Sequence, residues 1–148
     1  MRMCLIRPPR RNARDAGLSV PPLGLAYIAA AARENGHQVQ IIDAFAANWS
    51  WPQLERRIAQ EKPDVVGLTA MSPMADVVRR AVRMVRPYTG RVVIGGPHPT
   101  AVRAAIFSEM PEIDAAVVGE GEAVVGPLLR WWSQGATGDP PPGVMAPD

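Results

Sequence analysis

The chain has 148 residues, which suits one domain with a proper core and leaves little room for a second. With 47% apolar residues and a formal net charge of +2, it is neither a disordered polyelectrolyte nor a strongly basic nucleic-acid binder. Cys4 is the lone cysteine, so a disulfide framework, a cysteine zinc site and an iron–sulfur cluster within this chain are excluded. The first short apolar run, Met3–Ile6, predicts a strand. It leads into "RPPRRNARDAG", where Arg7, Arg10, Arg11 and Arg14, with Arg2 before them, precede the first acid, Asp15. Such a basic loop suits a phosphate or the acidic face of a partner. A solvated loop is the plainer reading, because no aromatic residues interleave the arginines as single-strand binding requires.

Leu23–Asn35 has helical spacing and stops at Gly36, and Val39–Ile42 reads as the second strand. Trp51–Glu61 is the next helix, with Pro52 near its start and Pro63 beyond its end, followed by the strand Val65–Leu68. Ala75–Val85 sets Val77, Val78, Ala81, Val82 and Val85 on one helical face, with Arg79, Arg80, Arg83 and Arg86 mainly outside. Pro87 and Gly90 separate it from the strand Val92–Ile94. A helix over Ala101–Glu109, a strand over Ala115–Val118 and a helix over Ala123–Trp132 follow. The segment 134–148 is rich in glycine and proline and reads as an interdomain linker or a disordered tail behind a domain spanning 1–133.

Alternating strands and helices predict an α/β fold: a flavodoxin-like, doubly wound, five-stranded parallel sheet in the order 2-1-3-4-5. Several strands carry adjacent apolar residues, as strands covered on both faces do. Ligands of such sheets bind at the carboxyl ends of the strands, near the switch in strand order. The loops that matter are then 7–20, 43–50, 69–74, 95–99 and 119–122, while the turn holding His37 lies at the structural edge. No apolar run is long enough for a bilayer, and the N-terminus lacks the apolar stretch of a signal peptide. A cytoplasmic chain with no membrane or nucleic-acid partner is expected.

Common phosphate devices are missing: there is no G-x-x-x-x-G-K-[ST], and the first strand's loop has no G-x-G-x-x-G. A phosphoacceptor receiver needs acids where this chain holds Arg7 and Thr69. Ser72 lacks a glycine-flanked elbow, His98 has no acid beside it in sequence, and two histidines make no convincing metal site. Glu120 and Glu122 read as an acid/base pair or, more simply, as carboxylates favouring the start of the last helix. What remains is a rim of small, proline-fixed loops. "GLTAMSPM" offers Thr69 and Ser72 as donors and Ala70, Met71 and Met74 as apolar contacts. "GGPHPT" offers bare backbone at Gly95 and Gly96 before Pro97 and His98, and "VGEGE" offers Gly119 and Gly121. Each suits a tight turn; together they favour a large, mostly neutral ligand with planar parts.

"PPLGLAYIAAAARENGHQVQIID", "PDVVGLTAMSP", "VVIGGPHPTA" and "IDAAVVGEGE" together resemble the N-terminal cobalamin-binding domain of cobalamin-dependent radical S-adenosylmethionine enzymes. The resemblance runs from about Pro21 to Leu129. It implies a corrin over the strand ends, with its nucleotide tail beside Gly95 and Gly96 and with Pro97 and His98 at the rim. Arg7, Thr69–Ser72, Met74 and Gly119–Gly121 complete the expected cofactor contacts. Cobalamin domains of methyltransferases and mutases carry D-x-H-x-x-G after the first strand, with the histidine on cobalt. This loop has no histidine. The resemblance then implies a lower face covered by Met71, Ser72 or Met74, or less simply His98 on the metal. No C-x-x-x-C-x-x-C is present, so the chain binds rather than catalyses by itself, with the radical catalytic domain in cis or in trans. Methyl transfer is the implied chemistry. A stand-alone cobalamin carrier or sensor, and a flavodoxin-like nucleotide binder without cobalamin, are the other readings.

Overall fold

In the computed structural model, which describes residues 1–12 and 20–147, five parallel strands alternate with helices as the apolar pattern predicts. The strands are β1 (Arg2–Arg7), β2 (Gln38–Asp43), β3 (Val65–Thr69), β4 (Arg91–Gly95) and β5 (Ala115–Val117). The helices are α1 (Leu23–Glu34), α2 (Trp51–Glu61), α3 (Ala75–Val85), α4 (Pro97–Val102), α5 (Ile106–Glu109) and α6 (Glu122–Ser133).

The sheet has six strands rather than the expected five, in the order β2-β1-β3-β4-β5-β6. The added strand, β6 (Val144–Met145), comes from the Pro/Gly-rich segment and pairs antiparallel with β5. Without it β5 would be a bare edge of only three residues, with its ladder groups unpaired. Val118 donates its N–H to the Gly143 carbonyl at 2.9 Å, and Val144 is buried.

Period-two alternation sends neighbouring strand residues to opposite faces. Cys4, Ile6, Val66, Leu68, Val92 and Ile94 pack with Leu54 and Ile58 of α2 and with Val78, Ala81, Val82 and Val85 of α3. Met3, Leu5, Val65, Val93 and Val117 pack instead with Leu25 and Ala29 of α1 and with Val125, Leu128 and Leu129 of α6. Gly126 brings α6 close to α1: a Cβ there would lie within 2.7 Å of three Asn35 side-chain atoms.

One helix differs from expectation. The run Ala101–Glu109 is broken at Arg103, which has a positive φ of +55°, and helical structure already begins at Pro97. Gly96, at φ +98°, makes the turn that only glycine enters freely, and Pro97 at the first helical position is preset for the helix.

Candidate functional site

The carboxyl edge of the sheet opens beside β3, on the face covered by α1 and α6. Along β3, Val65 and Thr69 flank Gly67 on that face, so the middle position has no side chain. Gly67 is paired in register with Leu5 on one side and Val93 on the other. A Cβ added there would meet Leu5 Cδ2 at 2.7 Å and Met3 Cε at 2.8 Å. The neighbours thus lean into the space a side chain would take, and above them remains a cavity of about 260 Å³. For scale, a cavity of roughly 150 Å³ accepts a benzene ring. Leu25 and Ile28 of α1 form one wall, and Val125 and Leu128 of α6 another. Thr69, Gly95, Gly96, Pro97 and Gly119–Glu122 surround the opening at the strand ends.

Residues 10–129 match the family model for the B12-binding domain. The chain belongs to the B12-binding domain family. It is 36% identical over 139 residues to the uncharacterized methyltransferase PH0819 of Pyrococcus horikoshii, covering 91% of this chain and 30% of that protein. In fold it is similar to the radical S-adenosylmethionine methyltransferase TsrM from Kitasatospora setae, with a TM-score of 0.79 at 20% identity, over 98% of this chain and 28% of that one. It is also similar to the cobalamin-dependent radical enzyme OxsB, solved with aqua-cobalamin and S-adenosylmethionine, with a TM-score of 0.78 at 15% identity, over 99% and 21% of the two chains. The chain therefore spans less than a third of these relatives.

Seven expected site residues of this B12-binding domain meet at one opening: Thr69, Gly95, Gly96, Pro97, Gly119, Glu120 and Gly121. The two adjacent glycines have different reasons to be there. A Cβ on Gly96 would stand 2.6 Å from Thr69 Oγ1 and 3.0 Å from the Ala70 carbonyl, besides forcing a side chain into positive φ. A Cβ on Gly95 would meet only Val117 Cβ at an ordinary 3.7 Å. Gly96 is required by the fold, whereas Gly95 keeps the cavity open. Glu122 stands in the first turn of α6, where a carboxylate favours the helix dipole, and Glu120 precedes it on the exposed loop.

The other expected residues lie outside the cavity lining. Ala70 is fully buried; its N–H donates to the Gly95 carbonyl at 2.8 Å, and its carbonyl accepts from the His98 N–H at 2.9 Å. Met71 is 57% exposed on the loop above β3, beside exposed Ser72 and half-buried Met74. His98 is buried in the first turn of α4 instead of lining a rim. Its Nδ1 lies 3.0 Å from Ser72 Oγ and its Nε2 lies 2.8 Å from Glu109 Oε2. Glu109 is in turn 3.8 Å from the Arg79 guanidinium, so the acid that is absent beside His98 in sequence arrives from α5.

Arg7 closes the β1 end. Its guanidinium donates to the Val20 carbonyl at 2.9 Å, faces Asp43 at 3.4 Å and lies 4.2 Å from the Phe45 ring centre. Arg11 donates to the Pro73 carbonyl at 2.7 Å and to Asp76 at 2.6 Å, tying the first-strand loop to the third. That bond holds the Asp76 carboxyl below its ordinary range. Arg14 and Asp15 lie outside the described residues. Among the described residues, no group of three or more His, Cys, Asp or Glu is placed to hold a metal, and no helix is long and apolar enough to cross a membrane.

Loop-based reading of the sequence misses the cavity's floor and walls: Gly67, Leu25, Ile28, Val93, Val125 and Leu128. The floor has a signal, since an isolated glycine inside a strand marks a close approach by something else. The walls have none, because a helix residue facing a cavity has the same spacing as one facing the core.

Proposed function

We propose that this chain binds cobalamin at the carboxyl edge of its sheet, as the cofactor-binding module of a cobalamin-dependent radical S-adenosylmethionine enzyme. The observation that carries the reading is the apolar hollow over Gly67, opening at the strand ends in a chain of the B12-binding family. The hollow fits the group: it is large enough for a bicyclic aromatic ring, lined by hydrocarbon, and kept open by glycines on β3 and β4. Leu5, Leu25, Val93 and Val125 would hold the base of the nucleotide tail, with Thr69, Gly95 and Gly119–Gly121 around the opening. When bound, cobalamin supplies the carriage of a methyl group. The protein's part is to orient it and keep water from the buried end.

No protein histidine is assigned to cobalt. His98 supports this because both of its ring nitrogens already face partners, Ser72 and Glu109, and the ring is buried. His37 supports it too, lying 3.4 Å from the chain's amino group at the opposite edge. Met71, Ser72 and Met74 are then the side chains available to cover the lower face. A radical S-adenosylmethionine domain, in cis or in trans, would hold the iron–sulfur cluster that this chain lacks the cysteines to bind, and the whole would work in the cytoplasm as a methyltransferase.

Mixing the purified chain with hydroxocobalamin and desalting tests the reading. The visible spectrum of the cofactor should travel with the protein. A colourless protein fraction, together with no heat on calorimetric titration, would overturn it.

A further inference from the structure

The cavity has an uneven distribution of polarity. Below the strand ends its walls are the hydrocarbon side chains of Leu5, Leu25, Val93, Val125 and Leu128, with Val117 level with Gly95 nearer the opening. The backbone there is already committed, since Gly67 sits between Leu5 and Val93 in the ladder and Val93 pairs onward with Ala115. The polar lining residues, Thr69, Glu120 and Glu122, come only from the last residue of β3, the loop before α6 and the first residue of α6. Backbone groups at the opening are partly committed as well. The Gly96 carbonyl accepts from Thr100, and the Gly121 carbonyl accepts from Val124 and Val125.

We infer that this cavity discriminates among corrinoids by the base that ends the nucleotide tail, taking a dimethylbenzimidazole in preference to a purine. The inference rests on the cobalamin reading above. Both bases are bicyclic, so volume does not separate them; the chemistry of the inserted edge does. The outer ring of dimethylbenzimidazole presents only C–H and methyl groups, which match the hydrocarbon walls. Adenine presents ring nitrogens and an amine, which would leave water for a region offering them neither donor nor acceptor. Each polar group buried without a partner weakens binding by about tenfold or more.

Three corrinoids distinguish the outcomes: cobalamin, an otherwise identical corrinoid carrying adenine, and one with no nucleotide tail. Each is titrated into the chain and followed by calorimetry and by the visible spectrum. Cobalamin should bind about ten- to hundredfold more tightly than the adenine form. Val93→Thr, which places one hydroxyl beside Gly67 at nearly constant volume, should narrow that ratio while the chain keeps its cooperative melt. Equal or tighter binding of the adenine form by the unaltered chain overturns base selection and leaves the cobalamin reading standing. Equal binding of the tail-less corrinoid and cobalamin overturns it too, since the base would then contribute nothing. Failure of all three to bind removes the functional reading, and this inference with it.

Discussion

The two faces of the sheet are made from alternate residues of the same strands, and they differ in how completely they are filled. On the α2–α3 face Val66 and Leu68 of β3 join Val82 and Ile58 in a closed core, and Leu54, Ile58 and Val82 are fully buried. On the α1–α6 face the same strand offers Gly67 at its centre, the tips of Leu5 and Met3 lean over it, and between them and the helices a cavity remains. The difference shows how a doubly wound sheet divides its work: one face supplies the burial that stabilises the fold, and the other gives up part of that burial to leave room for a guest.

Substitutions that exchange these roles give the largest effects. Leu54→Ala on the filled face should cost about 2–5 kcal/mol of unfolding free energy in a denaturant titration, with cobalamin affinity unchanged in the protein that remains folded. Gly67→Val on the hollow face should do the reverse. The new side chain must push the tips of Leu5 and Met3 aside into the hollow. Affinity should then fall roughly ten- to hundredfold by titration, with a smaller change in midpoint because both tips are flexible. If Gly67→Val lost stability as Leu54→Ala does and bound cobalamin normally, the two faces would not differ in the way described.

The adjacent glycines at the end of β4 sharpen the comparison at single-residue scale. Gly96→Ala should cost about 1–3 kcal/mol in a thermal or denaturant melt, because it combines positive φ with a close approach to Thr69 and Ala70. Gly95→Leu should melt closer to the parent and bind cobalamin more weakly. Equal losses at both positions, in both measurements, would return the pair to a purely structural turn.

His98 belongs to the filled side in its energetics. Replacing it with alanine removes the contacts to Ser72 and Glu109 and should cost about 1–3 kcal/mol. Electron paramagnetic resonance of bound cob(II)alamin should show no protein nitrogen on cobalt, either before or after that change. A threefold splitting in the parent that disappears in His98→Ala would place the histidine on the metal after all.

The smallest expected effect lies at Cys4, which also faces the filled side. Burial raises its thiol above the ordinary value of 9.0, outweighing the lowering effect of the Gln40 hydrogen bond. Because the unfolded chain ionises more readily, this thiol contributes stability that is full below about pH 9 and declines as pH rises toward the folded value. Cys4→Ala should therefore flatten the alkaline side of a stability-against-pH curve. Thiol reagents should label Cys4 only as the chain unfolds, and an equally steep alkaline limb in the variant would count against this assignment.

Much of the architecture is legible in the amino-acid order alone, because local rules govern it. Apolar runs separated by helical spacing can bury themselves only as a covered parallel sheet, and the α3 face from Val77 to Val85 is buried as its spacing predicts. The glycine-bearing strand ends are legible for the same reason, since Gly95, Gly96, Gly119 and Gly121 end or follow strands whose direction the alternation sets. Other features depend on residues distant in the chain and leave no local trace. Two residues of β6 are too few for a periodic signal, and only the open edge of β5 gives them a partner. His98 of α4 acquires Glu109 of α5 across the break at Arg103, eleven residues along the chain. The hollow over Gly67 exists only because Leu5, Val93, α1 and α6 converge there. A chain specifies its strands and helices through near neighbours; an empty space is specified by everything around it, and only the tertiary structure brings those residues together.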